Sequence, residues 1–183
     1  MEYIQHHGIK GMKWGVRRYQ NKDGSLTPTG KKRSKKKIPQ SWTTRTKSGE
    51  VITVTKDRGT LLGDTLQKLT GQDFATYTSR NSEGKKVGHI QLDRKSKDEM
   101  NIVWMDTNKK HKGKGYAAAL LETGEKIARE AGAKKLTAEV VGNSPDMQHI
   151  TDKRGYVRKG EIRTQDVLDV WGGLTLVELD LLK

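Results

Sequence analysis

The sequence predicts an α/β fold in which a mixed, mostly antiparallel sheet is flanked by helices and preceded by a basic, flexible N-terminal arm. Three observations predict it. Short apolar–polar alternating segments follow one another between residues 41 and 106, as they do in an antiparallel sheet. A segment with helical periodicity then lies between two further strand-like segments, which indicates a strand–helix–strand crossover. Positive charge is concentrated in the first fifth of the chain.

Length and composition limit the possible classes of protein. The 183 residues suit one ordinary domain with an extension, and the formal net charge is +14. The chain has no cysteine, which excludes disulfides, thiolate metal sites and a cysteine nucleophile. No stretch approaches the roughly 20 apolar residues of a membrane helix, and no signal peptide is recognised near the start. We therefore expect no membrane association.

The charge separates the chain into an arm, residues 1–37, and a domain, residues 38–183. The arm has 11 Lys and Arg against Glu2 and Asp23, a net charge of +9, and the domain has 25 against 20, a net charge of +5. Within the arm, residues 31–37 include six cations, which is typical of a solvated linker. A nucleic-acid interaction suggested by the charge would therefore concern the arm first.

The predicted elements alternate in type along the domain. The strands form two hairpins and one further strand, at 41–47 with 51–56, 74–80 with 86–94, and 99–106. A short helix is predicted from Leu61 to Leu69. The second half is predicted as a helix at 116–131 ended by Gly132, a strand at 135–141, a helix at 144–153 capped by Ser144, and strands at 156–163 and 174–182.

The segment from Met105 to Ala117 has the features of an anion site. A strand ends, a basic loop comes next, and Gly113 and Gly115 precede a helix, so backbone amides at the helix start can approach a phosphate. Nearby positive charge comes from Lys110, Lys112 and Lys114. The spacing GxxxxGK[ST] is absent, and Ala118 replaces the third glycine of GxGxxG. The pattern indicates a phosphorylated ligand, and a purely structural turn is the alternative.

This segment and the residues after it resemble the GNAT acyltransferase superfamily. The signature Q/R-x-x-G-x-G/A of that family corresponds to Lys110-x-x-Gly113-x-Gly115, and lysine retains the positive charge without the planar guanidinium. Asn143 comes after the next strand, and Gly155-Tyr156 closes the second helix, as in the family. The resemblance covers about residues 86–163, whereas residues 38–71 differ from the usual helical start of the family.

The resemblance implies acetyl-CoA or another acyl-CoA as the donor, an amine as the acceptor, and no metal. The pyrophosphate would bind the amides of residues 112–117, the pantetheine arm would pair with Trp104 and Met105, and a backbone N–H of residues 103–105 would stabilise the oxyanion. The strand at 99–106 would separate from the strand at 135–141. The implied cofactor-binding residues are Val103, Trp104, Met105, Lys110, Lys112, Gly113, Lys114, Gly115, Tyr116, Ala117 and Asn143.

Four residues are candidates for proton transfer. Glu99 and Asp106 are the carboxylates of the strand before the loop. The alternatives are an ordinary strand-edge role for Glu99 and a residue that simply ends the strand for Asp106. The position at which the family often has an acidic tyrosine is Thr151, whose hydroxyl is a far weaker acid than a phenol. Either the thiolate leaves unaided, or His149 acts through water, or activity is reduced. Tyr116 is expected to pack rather than act as an acid.

Other histidines and tryptophans give weaker signals of a site. His6 and His7 lack a third metal ligand at a useful spacing, so no metal is predicted. His89 is expected on the solvent side of its strand, with a position facing the acceptor as the alternative. Trp104 is expected in the core or the wall of the cleft. Trp171 is expected to pack, with a position beside the acceptor as the alternative.

The arm resembles a second group of proteins. The segment HHGIKGMKWGVRRYQNKDGSLTPTGKKR is similar to a terminal segment of head and other structural proteins of tailed phages and prophages. The leading hypothesis is therefore a phage- or prophage-encoded N-acyltransferase in the host bacterial cytoplasm. Its arm, residues 1–37, is expected to bind a virion structural protein or nucleic acid, with a disordered tail as the alternative. The alternatives are a non-enzymatic virion protein with a degenerate fold of this family and a nucleic-acid-binding protein.

Overall fold

The computed structural model describes residues 21, 25, 27–29, 40–59 and 73–183. From residue 40 onward these residues form eight strands: β1 Ser41–Arg45, β2 Val51–Lys56, β3 Phe74–Asn81, β4 Lys86–Arg94, β5 Glu99–Thr107, β6 Lys135–Val141, β7 Val157–Ile162 and β8 Leu174–Asp180. They also form the helices α1 Tyr116–Glu130, α2 Pro145–Lys153 and α3 Gln165–Trp171, and one 3₁₀ turn at Lys109–His111.

The eight strands form one sheet in the order β1-β2-β3-β4-β5-β6-β8-β7. Every neighbouring pair is antiparallel except β5 and β6, which are parallel and joined through α1. A parallel connection requires such a crossover because the chain must return to the same end of the sheet. The prediction of a mixed, mostly antiparallel sheet flanked by helices is therefore confirmed.

Helix α1 covers one face of the sheet and forms the core with it. Leu120, Leu121 and Ile127 of this helix are all buried. Gly124 permits the close approach of helix and sheet, because a Cβ at this position would lie 2.6 Å from Cδ1 of Ile90 on β4. The core extends to β1, where the indole Nε1 of Trp42 donates a hydrogen bond to Glu130 on α1.

Most predicted elements of the domain are present within one or two residues of their expected bounds. Gly132 and Gly155 come after α1 and α2 with φ values of +81° and +83°, which is typical of helix ends. Ser144 is the residue before α2, but its side chain makes no capping hydrogen bond, and Pro145 begins the helix instead. Helix α3 was not predicted, because its seven residues are too few to show a helical period.

Some predictions concern residues outside the described part of the chain. The helix predicted from Leu61 to Leu69 and most of the arm are among these residues. In the arm, Asn21 donates from its backbone nitrogen to the carbonyl of Ser25 and from Nδ2 to the Ser25 hydroxyl. The boundary between residues 37 and 38 stays a prediction. None of the helices in the described residues is long and apolar enough to cross a membrane.

Candidate functional site

Strands β5 and β6 separate partway along their length. Their pairing begins with Glu99 opposite Lys135 and ends with Ile102 opposite Ala138. Beyond this point β5 remains paired with β4 to Thr107, and β6 remains paired with β8 to Val141. The predicted separation of these strands is therefore present. It leaves an edge of β5 from residue 103 onward without a strand partner among the described residues.

A β-bulge lies on β5 where the separation begins. On β4, Leu92 pairs with Ile102 and Gln91 pairs with Trp104, so Val103 is an extra residue with no partner opposite it. A bulge bends its strand and redirects the backbone and side chains beyond it. Here it turns the indole of Trp104 to the face opposite α1, because its partner Gln91 lies between residues of β4 that are buried against the helix.

A cavity of about 370 Å³ lies between the separated strands and is called the strand cavity here. Its wall includes Val103 and Trp104 from β5 and Glu139 from β6, together with Trp171 at the end of α3. The two indole rings meet edge to face, with centroids 6.1 Å apart. The cavity is thus mainly apolar and aromatic, with one carboxylate in its wall.

The loop between β5 and α1 has the geometry of an anion-binding helix start. Gly113 and Gly115 have φ values of +75° and +83°, a conformation that residues with a Cβ rarely adopt. The first hydrogen bond of α1 runs from the Ala119 amide to the carbonyl of Gly115, the residue just before the helix, over 3.1 Å. The amides of Gly113, Tyr116 and Ala117 have no acceptor in the described part of the chain and are available to a ligand.

Two of the predicted phosphate-binding amides are already used in turns. The Lys112 amide donates to the Lys109 carbonyl at 3.3 Å, and the Lys114 amide donates to the His111 carbonyl at 3.4 Å. The Lys110 amide donates to the side chain of Asn108, which precedes the 3₁₀ turn. Binding of an anion by the backbone is therefore expected mainly at Gly113 and at residues 115–118, while the lysines contribute charge.

A larger groove of about 1070 Å³ extends from this loop between α1 and α2 and is called the helix groove here. It meets the strand cavity at Met105, Ser144 and Met147, which line both. Several cations line the helix groove, and those without an ion-pair partner among the described residues are Lys47, Lys112, Lys126 and Lys153. The groove therefore suits a long anionic ligand that reaches the strand cavity.

The turn between β1 and β2 is part of the same site, which the sequence did not reveal. Its residue Ser48 donates a hydrogen bond to the Lys114 carbonyl at 3.2 Å. A Cβ at Gly115 would lie 2.8 Å from the Lys47 nitrogen, so only glycine allows this turn to pack on the loop. Lys47 thereby adds a positive charge to the helix groove from a distant part of the sequence.

Tyr116 packs inside the domain, as expected. Its side chain is 2% exposed, and its ring lies 4.8 Å from that of His111. Burial, together with the nearby Glu50, raises the pKa of its phenol to about 12. Only the backbone amide of this residue is therefore suited to ligand binding.

Asp106 and His89 come together on neighbouring strands. Nδ1 of His89 lies 2.8 Å from Oδ1 of Asp106, and the two residues face each other across β4 and β5. Asp106 is about half exposed and lines the helix groove. The pair places a carboxylate and an imidazole beside the separated strands, but Nδ1 of His89 has no partner in hydrogen-bond geometry within the described part of the chain.

Glu99 lies away from both cavities. It is the first residue of β5, at the end opposite the loop, and its carboxylate is 3.0 Å from the Lys135 ammonium. A strand rises about 3.3 Å per residue, so Glu99 is about 13 Å along β5 from the Val103 bulge. The structure thus corrects its candidacy as a proton acceptor: Glu99 belongs to an ion pair in the closed part of the sheet.

Thr151 lines the strand cavity but is not arranged to donate a proton there. It is 2% exposed, and its hydroxyl donates to the backbone carbonyls of Met147 and Gln148 at 3.0 and 2.9 Å. Its one proton is therefore used within α2, which corrects its candidacy as an acid. His149 is exposed and lines the helix groove instead of the strand cavity.

The structure describes Asn143 but not the histidines of the arm. Asn143 is exposed and lines neither cavity, and its backbone amide donates to the Trp171 carbonyl. Its assignment as a cofactor-binding residue stays a prediction, and the neighbouring Ser144 lines both cavities. His6 and His7 lie outside the described residues. Within residues 40–59 and 73–183, no three potential metal-ligating side chains form a group.

A buried ion pair lies in the helix groove and was also missed by the sequence analysis. Nε and one terminal nitrogen of Arg154 each donate to the Glu125 carboxylate at 2.7 Å. Glu125 is almost fully buried on α1, and Arg154 comes directly after α2, so the pair joins the two helices that form the groove. Burial, with the neighbouring Glu125 carboxylate, raises the pKa of Tyr156. A bidentate pair of this kind fixes geometry well.

Comparisons with known proteins agree with this architecture. The family model described as acetyltransferase (GNAT) family matches residues 42–156. A second model, described as a family of unknown function (DUF7211), matches residues 1–21. A search of curated proteins found no match.

Solved structures with the same fold are distant in sequence. A GNAT family acetyltransferase from Elizabethkingia anophelis with acetyl-CoA bound is 17% identical, with a TM-score of 0.56, and the match covers 70% of this chain and 97% of that one. Mutant forms of the spermidine/spermine N-acetyltransferase SpeG from Vibrio cholerae are 12% identical, with a TM-score of 0.57 and coverage of 72% and 96%. The family match spans more than half of the chain, and the chain therefore belongs to the acetyltransferase (GNAT) family of enzymes.

Proposed function

We propose that this protein is an N-acyltransferase that transfers the acetyl group of acetyl-CoA to an amine by direct attack. The observation that carries the proposal is the continuity of two features. The strands β5 and β6 separate at Ile102 and Ala138, and β5 then leads into a loop with free amides at the start of α1. One ligand with a long arm and a phosphate group fits both features.

The residues of the chain fit the donor. The unpaired amides of Gly113, Tyr116 and Ala117 and the charge of Lys112 suit a pyrophosphate. The free edge of β5 beyond Ile102 suits the amide groups of a pantetheine arm. When bound, the donor supplies a thioester, which is an activated acyl group. The bulge at Val103 redirects a backbone N–H at the start of the strand cavity, where negative charge on the acyl oxygen would need a donor.

Asp106 and His89 are the groups proposed to handle the proton. An aliphatic amine is mainly protonated at neutral pH, with a pKa of about 10.4 for a lysine-like group. It must lose a proton to attack, and the Asp106–His89 pair lies beside the cavities with an N–O distance of 2.8 Å. His149, on the other wall of the helix groove, is the remaining candidate. We expect Asp106→Asn to reduce kcat far more than affinity for the donor.

The decisive experiment combines binding and turnover. Isothermal titration calorimetry of the full chain with acetyl-CoA is expected to show saturable binding to one site. Release of the CoA thiol is then measured with a panel of amines that includes spermidine, because the spermidine N-acetyltransferases among the structural neighbours are named for it. Absence of acetyl-CoA binding would exclude the proposed function.

A non-enzymatic protein with a degenerate site is the competing proposal. The hydrogen bonds of the Thr151 hydroxyl within α2 favour it, because this position offers no acid for the leaving thiolate. The intact loop at Gly113 and Gly115 favours the enzyme. Binding of acetyl-CoA without turnover of any amine would support the degenerate site.

The arm is proposed to dock the domain to a virion protein or to nucleic acid. Its net charge of +9 supports an anionic partner, and its likeness to phage structural proteins supports a virion protein. We expect deletion of residues 1–37 to remove most of the salt-dependent affinity for DNA while leaving acetyl-CoA binding unchanged. An unchanged salt dependence after deletion would assign the affinity to the domain.

A further inference from the structure

Two exposed tryptophans stand at the open end of the separated strands. Trp104 lies on β5 just beyond the last residue paired with β6, and Trp171 is the last residue of α3. Their side chains are 47% and 37% exposed, and their rings meet edge to face with an interplanar angle of 72°. If these two indole rings only packed in the hydrophobic core, they would be buried. This pair instead leaves aromatic surface open to the strand cavity.

A carboxylate lies on the same side of the sheet as Trp104. Glu139 comes directly after Ala138, the last residue of β6 that pairs with β5. Because Ala138 and Val140 are buried in the core, the alternation of the strand directs Glu139 to the opposite face. Trp104 also points to that face, and Glu139, Trp104 and Trp171 all line the strand cavity.

Glu139 differs from its acidic neighbours in forming no ion pair within the described residues, although Lys95 is near enough to interact with its charge. On the same face, Glu99 and Glu178 lie within ion-pair distance of Lys135. No ion pair or hydrogen bond of the Glu139 carboxylate is found among the described residues. An exposed, unpaired carboxylate beside two aromatic rings attracts a cation more than it stabilises the fold.

We infer that Trp104, Trp171 and Glu139 form the acceptor site and that this site takes a compact aliphatic ammonium ion. The inference rests on the proposed acyl transfer and names its substrate class. The indole faces attract the cation, the carboxylate neutralises it, and Val141 and Leu174 in the cavity wall suit a methylene chain. The cavity volume of about 370 Å³ is sufficient for a short aliphatic chain.

Binding of two small probes to the full chain tests this inference. n-Butylamine and n-butanol have similar size, but only the amine is charged at neutral pH. Their dissociation constants are measured by tryptophan fluorescence and calorimetry, with and without saturating CoA. We expect the amine to bind clearly more tightly than the alcohol. Trp104→Leu and Glu139→Gln are each expected to weaken amine binding by about tenfold, whereas Trp104→Phe retains an aromatic face and should lose less.

Glu83→Gln is the matched control, because Glu83 is an exposed glutamate of the β3–β4 turn, and the change in net charge is identical. It should leave amine binding unchanged. Equal affinity for alcohol and amine, or no effect of Glu139→Gln, would overturn the inference. The proposed function has a separate readout. If the unsubstituted protein binds acetyl-CoA and acetylates an amine, but Trp104→Leu and Glu139→Gln leave amine binding unchanged, only the assignment of the acceptor site is wrong. If the unsubstituted protein does not bind acetyl-CoA, the proposed acyl transfer itself is wrong.

Discussion

A Cβ at Gly115 would lie 2.8 Å from the backbone nitrogen of Lys47, although the two residues are far apart in the sequence. Gly115→Ala is therefore expected to displace the β1–β2 turn from the loop and to strain a backbone with φ near +83°. We expect the free energy of unfolding to fall by about 2 kcal/mol, and affinity for acetyl-CoA to fall with it. Urea denaturation and calorimetry measure the two effects.

Gly113→Ala is the matched variant for that prediction. Gly113 also has a positive φ, but a Cβ there meets nothing within 4 Å. Only the backbone strain remains, so a loss of about 1 kcal/mol is expected. Equal losses in the two variants would show that contact with Lys47 contributes nothing.

The Glu125–Arg154 pair is expected to be a main source of stability in the helix groove. Glu125→Gln leaves Arg154 with a neutral partner in a largely buried place, and we expect the free energy of unfolding to fall by about 3 kcal/mol. Glu122→Gln serves as the control, because Glu122 is 58% exposed and lies 3.6 Å from the same arginine. Its effect should stay below about 1 kcal/mol. Similar effects of the two substitutions in urea denaturation would contradict this account.

Thr151→Val tests whether the hydroxyl at this position takes part in the reaction. The hydroxyl donates only to carbonyls of its own helix, and valine has nearly the same shape. We expect kcat to change by less than about twofold, with acetyl-CoA affinity retained. A large fall in kcat at unchanged stability and affinity would restore Thr151 as an acid.

Alkaline pH is expected to destabilise the protein through buried tyrosines. Burial raises the pKa of Tyr116 to about 12, and it also raises that of Tyr77 and Tyr156, from the ordinary value of 10.0. The unfolded chain loses these protons at lower pH than the folded chain does. The contribution of these tyrosines to the free energy of unfolding is therefore fully present below pH 10, and it falls as the pH rises towards 12.

Absorbance of tyrosinate at 295 nm reports this titration during unfolding. The phenols of Tyr77, Tyr116 and Tyr156 should ionise only as the protein unfolds, and Tyr116→Phe should reduce the alkaline loss of stability. Ionisation of these three phenols near pH 10 in a protein that remains folded would disagree with their burial.

Local patterns in the sequence were sufficient for much of the fold. Alternation predicted the strands, the three- and four-residue spacing predicted α1, and glycines predicted where α1 and α2 end. The loop at Gly113 and Gly115 was predicted because its chemistry depends on consecutive residues. Helix α3 was missed because one short helix among polar residues has almost no periodic signal.

Contacts between distant segments could not be predicted in this way. Lys47 reaches the loop only because the turn between β1 and β2 packs on it, and Glu139 and Trp104 line one cavity only because two strands separate. Thr151 and Glu99 are candidates because of their positions relative to the glycine motif. The hydrogen bonds of the Thr151 hydroxyl within α2 and the ion pair of Glu99 with Lys135 depend on the folded structure.

The short parallel pairing of β5 and β6 divides the sheet into two hydrogen-bonded blocks, β1–β5 and β6–β8. Four register pairs, from Glu99–Lys135 to Ile102–Ala138, form the seam between them. Beyond this seam, no strand pairing of the described residues joins the two blocks, so an extended ligand in the strand cavity would meet backbone on β5 that the sheet has not already used.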